Sequence, residues 1–340
     1  MDESLWALAE TLAGAPLTDL VPLTGGANNR LFRIADRRGR IFALKVYRRM
    51  AHDPRDRLAI EFGALSFLRQ RAVTVVPEPV AIDAERGVAL YQWVEGDPVT
   101  KPGATDIDAV LRFADQLREM GTHEGAAVLP AASEACLSAL EIVEQIDRRY
   151  HRLAEVAERN PILAEFLIEP FSETRTRAVA VARDGYAARK WDFSAALPRP
   201  LQVLSPSDFG FHNTLRRPDG SLVFLDFEYF GWDDPVRLVA DFLQHPAMRL
   251  EEDLSDRFVA GARGLYGADP GFLERLDLLF PLIGLRWCLI LLNEFLPERW
   301  AARQFAGMSD DRPVVLERQL AKARRRLTAV VRTLPEWGRR

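Results

Sequence analysis

The sequence predicts an α+β fold of two lobes, a small β-rich N-terminal lobe and a large, mainly α-helical C-terminal one. Three observations carry this. Residues 17–95 consist of short apolar runs separated by polar turns, with one helical stretch among them. Beyond residue 104 apolar residues recur at threefold and fourfold spacing. Just past the middle, residues 205–228 form an isolated strand–loop–strand segment between helical tracts. A chain of 340 residues can bury two ordinary cores. The boundary is placed at the Glu95-Gly96-Asp97-Pro98 turn, giving lobes 1–95 and 96–340.

Leu31–Ile34 and Ile41–Tyr47 flank the polar turn Asp36-Arg37-Arg38-Gly39-Arg40, a hairpin signature. From Arg55 to Gln70, Leu58, Phe62, Leu65, Phe67 and Leu68 suit a helix with one buried face. Pro77 and Pro79 end that unit, and Val88–Val94 reads as another strand. Helices are then expected over Asp106–Glu124, Glu134–Arg159 and 161–200, where Pro198 and Pro200 stop the run. After the strand–loop–strand segment, further helices are expected at 235–245, 251–266, 271–296 and 312–333.

Composition narrows the class. With 48% apolar and 28% charged residues and a net charge of -4, the chain reads as a globular protein with no basic bias toward nucleic acid. Cys136 and Cys288 lack metal-type spacing and are expected as free thiols in a reducing compartment. The acidic start, Met1-Asp2-Glu3-Ser4, does not resemble a targeting peptide. The apolar stretch Leu278–Leu292 is interrupted by Pro281, Gly284 and Arg286, so it reads as a core helix rather than a membrane span. The expectation is a cytoplasmic protein with neither a membrane nor a nucleic acid as partner.

The segment Ser205-Pro206-Ser207-Asp208-Phe209-Gly210-Phe211-His212-Asn213, with Phe224-Leu225-Asp226-Phe227-Glu228 after it, carries the chemistry. Asp208 and Asn213 lie five residues apart on a turn, and Asp226 follows a short strand. Three oxygen-rich side chains can converge there, as phosphoryl transfer from ATP requires: one carboxylate for the attacking hydroxyl, and an Asn and an Asp for Mg²⁺. Upstream, Thr24-Gly25-Gly26-Ala27-Asn28-Asn29-Arg30 suits a tight turn whose N–H groups can face phosphate oxygens. Lys45 lies in an apolar strand and precedes a helix that carries Glu61, a pairing that would aim its ammonium at phosphates. Tyr91–Gly96 would cross between lobes and offer backbone groups to a base. Trp93 is expected in packing.

In order and spacing these segments resemble the aminoglycoside phosphotransferase and choline kinase family of small-molecule kinases, from about Leu23 to Phe242. The resemblance implies a two-lobed protein-kinase-like fold and ATP and Mg²⁺ as cofactors. It makes Asp208 the catalytic base or hydroxyl-orienting carboxylate, and Asn213 and Asp226 the Mg²⁺ ligands. It puts Gly25, Gly26, Asn28, Lys45 and Glu61 on the nucleotide side, with Glu61 orienting Lys45. Asp234 and Asp241 would be structural acids. Where the family commonly has His-Gly-Asp, this chain has Pro206-Ser207-Asp208; Pro206 can stiffen the same turn. His212, beside Asn213, is expected as a hydrogen-bonded scaffold residue rather than a base.

The acceptor implied is the hydroxyl of a small metabolite: a sugar, an amino sugar or an amino alcohol. Glu228 and Trp232, near Asp226, are expected in the acceptor cleft, since acids and indoles suit either a cation or a sugar face. Trp287, in the apolar helix, is expected in the core. Two rivals stand beside this. A protein kinase lacks support, because no Ala-Pro-Glu segment follows Asp226. A nucleotide-binding regulator that has lost catalysis draws support from Pro206.

Overall fold

A computed structural model describes residues 3–23, 29–48, 55–248, 250–305 and 309–334. It is a mixed α+β chain with an antiparallel sheet at the N-terminus and helices beyond. Contacts divide it into two compact units, one of Met1–Ser133, Pro206–Gly231 and Ala301–Ser309, the other of Glu134–Ser205, Trp232–Trp300 and Asp310–Arg340.

The first unit begins with a helix that the periodicity reading did not identify, α1 (Glu3–Ala13). Strands β1 (Leu17–Leu23), β2 (Arg30–Asp36), β3 (Ile41–Val46), β4 (Pro79–Asp83) and β5 (Val88–Gln92) form one antiparallel sheet in the order β1-β2-β3-β5-β4. Leu5, Leu8, Ala9 and Ala13 of α1 bury against Leu20, Ile34, Phe42 and Leu90 of that sheet. β4 starts at Pro79, which the sequence reading took as the end of a unit. A proline fits there because β4 is an edge strand and needs fewer ladder donors. Helix α2 (Arg57–Arg69) is N-capped by Asp56, whose carboxylate accepts the N–H of Ala59.

Strand β6 (Asp97–Pro98) leads to α3 (Ala104–Met120), which ends at Gly121, short of the expected Glu124. β6 pairs with β8 (Thr214–Arg216), which pairs with β9 (Leu222–Phe224) across a turn closed by Gly220 in the left-handed region. Phe113 of α3 stacks on Phe224 with centroids 4.3 Å apart and touches Phe209 and Phe227 at 5.9 and 6.2 Å. One aromatic cluster therefore underlies both Asp208 and Asp226, each of which directly precedes one of these phenylalanines.

In the second unit α4 (Ala139–Ala157) starts five residues later than expected. Ser138 and Glu141 form a capping box there, while Glu134 has φ +58°, outside any right-handed helix. The expected helix over 161–200 is α5 (Pro161–Phe166), a π turn at Leu167–Phe171 and α6 (Ser172–Ala188); residues 189–198 are not helical, and Lys190 is left-handed. β7 (Val203–Ser205), β10 (Gly231–Asp233), α7 (Pro235–Gln244), α8 (Glu252–Tyr266), α9 (Phe272–Ile290), α10 (Pro297–Phe305) and α11 (Arg312–Thr333) complete the chain. Helix α9 is the centre of this unit: Leu282, Ile283, Leu285, Cys288 and Leu289 are fully buried. The apolar span Phe272–Phe295 is long enough to cross a membrane by composition, yet 72% of its most apolar window is buried in the protein. Both cysteines are free and buried.

Candidate active site

The site residues that the structure describes all lie in the first unit. Alternation along β3 turns Leu44 into the core and leaves Lys45 on the other face. Its Nζ donates to Glu61 Oε2 of α2 at 2.7 Å and to Asp226 Oδ1 at 2.6 Å. The second contact joins residues 181 apart in sequence, which the sequence reading had not paired. Tyr47, just past the end of β3, donates its hydroxyl to the same Glu61 oxygen at 2.7 Å and meets the Tyr91 hydroxyl at 2.7 Å. Glu61 Oε1 accepts the N–H of Phe227 at 3.3 Å. Glu61 thus ties β3, α2 and the Asp226 segment together.

On the loop after β7, Asp208 Oδ1 lies 3.0 Å from His212 Nε2. The Asn213 Nδ2 amide donates to the Asp208 carbonyl at 3.0 Å, and the Asn213 carbonyl accepts the N–H of Leu225 at 2.8 Å. Asn213 therefore links the loop of Asp208 to the strand that leads into Asp226. Ser207 and Asp226 both have left-handed backbones, φ +69° and +64°. Each costs about 1–3 kcal/mol and marks a segment that its surroundings hold in place. Ser207 occupies the position where the resembled family has glycine, and its hydroxyl donates to the Ser133 carbonyl at 3.3 Å.

The electrostatics follow from burial. Lys45 is held well above the usual lysine range: burial alone lowers it, but Asp226, Glu61 and Glu228 outweigh that. Asp226 is pushed upward by its partly buried setting and by the Glu228 and Glu61 carboxylates, against the pull of Lys45. Glu228 stays below the usual range, because Lys45, Arg57 and the Asn29 amide outweigh its burial. The side chains of Lys45 and Glu61 are 12% and 5% exposed, whereas Asp208 and Asp226 keep 32% and 34%. The two aspartates are thus the more open members of the site, with the Lys45–Glu61 pair set deeper.

The donor set fits a hard cation. Asp226 offers a solvent-accessible carboxylate. Because the Asn213 amide nitrogen is committed to a backbone carbonyl, its side-chain oxygen is the atom left to face a metal, and Mg²⁺ prefers oxygen ligands of both kinds. Gly25, Gly26 and Asn28 lie outside the described residues. Their neighbour Asn29 was not singled out from sequence: its Nδ2 donates to Glu228 Oε2 at 2.5 Å, across 199 residues. No local pattern marks that bond. Glu228 is 1% exposed and held by Asn29 and Arg57, and Trp232 is 4% exposed beneath Arg199, whose guanidinium sits 3.5 Å from the indole centroid. Neither lines an open acceptor cleft, contrary to expectation: the Glu228 carboxylate is taken by buried Asn29 and Arg57, and the Trp232 ring is covered by the Arg199 guanidinium. Trp287 is in the core as expected, its indole N–H donating to Asp241 at 2.8 Å. Asp234 caps α7, and both acids serve the scaffold.

A β-rich N-terminal sheet and a helical C-terminal region give the chain a protein-kinase-like fold. The chain matches the family described as "Phosphotransferase enzyme family" over residues 19–276 and belongs to it. Among solved structures it is similar to the choline kinase LicA from Streptococcus pneumoniae, with TM-score 0.60, 13% identity, and coverage of 96% of this chain and 99% of that one. It is also similar to the aminoglycoside phosphotransferase APH(2")-IIa in complex with gentamicin, with TM-score 0.63, 13% identity, and coverage of 95% and 96%. A third similar structure is the spectinomycin phosphotransferase APH(9)-Ia in complex with ADP and spectinomycin, with TM-score 0.61, 13% identity, and coverage of 94% and 98%. By sequence alone, no curated protein matches the chain.

Proposed function

We propose that this chain is an ATP- and Mg²⁺-dependent phosphotransferase acting on a hydroxyl of a small metabolite, namely a sugar, an amino sugar or an amino alcohol. The observation that supports this most is the Lys45 ammonium, bonded at once to Glu61 and to Asp226 and backed by buried charge. In this reading residues 1–95 form the nucleotide-binding lobe and 96–340 the catalytic and acceptor-binding lobe. Glu61 holds Lys45 toward the phosphates. Asp226 and the Asn213 side-chain oxygen hold Mg²⁺, which when bound neutralises charge developing on the phosphoryl oxygens. Asp208 accepts the proton of the attacking hydroxyl, and His212 orients that carboxylate from 3.0 Å. No covalent enzyme intermediate is needed. Two buried free thiols accord with a cytoplasmic setting.

ATP consumption against a panel of sugars, amino sugars and amino alcohols tests this. Turnover above the background rate with one acceptor class is expected. Tight Mg-ATP binding with no turnover across the panel would replace the enzyme by a nucleotide-binding regulator.

A further inference from the structure

Asp226 has a left-handed backbone, φ +64°, and the residue two positions on is itself firmly anchored. Glu228 is anchored at both carboxylate oxygens. Oε2 accepts from Asn29 Nδ2 at 2.5 Å, and Oε1 accepts from Arg57 Nη1 at 3.3 Å. Asn29 directly precedes β2, and Arg57 opens α2. All three side chains are buried: Asn29 is 7%, Arg57 4% and Glu228 1% exposed. With the Phe227 N–H on Glu61, the two residues after Asp226 are each tied to the β-rich part of the unit. Hydrogen bonds to a buried charge are among the stronger ones, and losing one partner leaves the charge uncompensated.

We propose that Glu228, held by Asn29 and Arg57, is a positioning residue that keeps Asp226 in the geometry required for Mg²⁺, so that the Asn29–Glu228 bond sets how strongly Mg²⁺ supports nucleotide binding. This rests on the reading of Asp226 as a metal ligand. It also separates the two acids of the Asp226-Phe227-Glu228 segment. The solvent-accessible Asp226 meets the metal, while the buried Glu228 acts through it.

The test is calorimetric titration of the full chain with the ATP analogue AMP-PNP, in saturating Mg²⁺ and in EDTA. Wild type, Asn29→Asp, Glu228→Gln and the double variant are compared, with melting curves to verify folding. Asn29→Asp sets two carboxylates against each other. The tightening of binding by Mg²⁺ is expected to shrink about ten- to hundredfold, while affinity in EDTA stays within about threefold. The double variant restores a carboxylate–amide bond in the reverse sense and is expected to recover wild-type tightening within about threefold. Should Asn29→Asp fail to fold, Asn29→Ala removes the donor without adding charge. Unchanged tightening in the single variants, equal losses with and without Mg²⁺, or a double variant as weak as Asn29→Asp would each overturn the inference; the last would make Glu228 itself a metal ligand. A wild type whose binding ignores Mg²⁺ would instead overturn the reading of Asp226, and this inference with it.

Discussion

Asp208 and Asp226 are both aspartates with about a third of the side chain exposed, yet their neighbours give them different work. Asp208 has the His212 imidazole beside it, whereas Asp226 is bonded to the Lys45 ammonium. Asp208→Ala is expected to lower turnover by roughly 10²–10⁴ while nucleotide affinity stays nearly unchanged, since the group serves the acceptor hydroxyl. His212→Gln is expected to cost far less, because an amide can still donate to Asp208 but cannot take a proton. Equal losses in the two variants, with intact circular dichroism, would move the base to His212. Asp226→Asn differs in kind. A neutral amide at a hard-cation site should weaken Mg²⁺ affinity and turnover together, with partial recovery at high Mg²⁺. An unchanged Mg²⁺ requirement in a metal titration would remove Asp226 from the metal. The roles proposed for these residues come from their spacing together with the family resemblance, whereas the Asp208–His212 contact needed the folded loop.

At the scale of elements, what holds the loop after β9 in place is close backbone contact. The N–H of Ser133 donates to the Tyr229 carbonyl at 3.0 Å, which draws residues 130–133 against the start of β10. Gly231 stands at that point. A Cβ there would lie 2.5 Å from Pro130 O, Ala131 C and Ala132 N, all of them backbone atoms that cannot rotate away. Gly231→Ala is therefore expected to destabilise the chain by about 1–3 kcal/mol. Urea unfolding checks it: the midpoint should fall with the slope unchanged. A midpoint equal to wild type would mean that the two segments separate at little cost. Nothing in the sequence around Gly231 distinguishes it from an ordinary turn glycine.

On the scale of the whole molecule, the second unit is stapled by buried charges around Glu134. Its carboxylate is pulled down to about 2: burial raises it, but Arg149, Arg286 and Arg237 together more than reverse that. Arg149 bonds to it directly, and Arg286 approaches to 3.6 Å. A carboxylate depressed in the folded state adds stability above its ordinary value of 4.5 and loses it as pH falls toward about 2. With 35% of the side chain exposed, solvent screens part of this effect. Glu134→Gln is expected to be less stable than wild type at neutral pH, and the gap should close between about pH 4.5 and 2. Melting curves at a series of pH values decide it, and two parallel pH profiles would rule Glu134 out as the source.

The sequence by itself determined the kinds and order of most elements and marked the residues proposed to carry the chemistry. Alternation along Ile41–Tyr47 and the helical spacing of Leu58, Leu65 and Leu68 are local, so each could be read where it stands. The Asp208, Asn213 and Asp226 spacing is also local, confined to one loop and one hairpin. Only the tertiary structure decided which charges meet. Lys45 joins Asp226 across 181 residues and Asn29 joins Glu228 across 199, and periodicity says nothing of partners so far apart. The same holds for α1 and for the edge strand at Pro79, whose stability comes from the sheet they pack on or extend rather than from their own sequence. Burial reversed the reading of Glu228 and Trp232 for a related reason. An acid or an indole looks the same in sequence whether it faces a substrate or a guanidinium of its own chain, and the choice between them is made by residues distant in the chain.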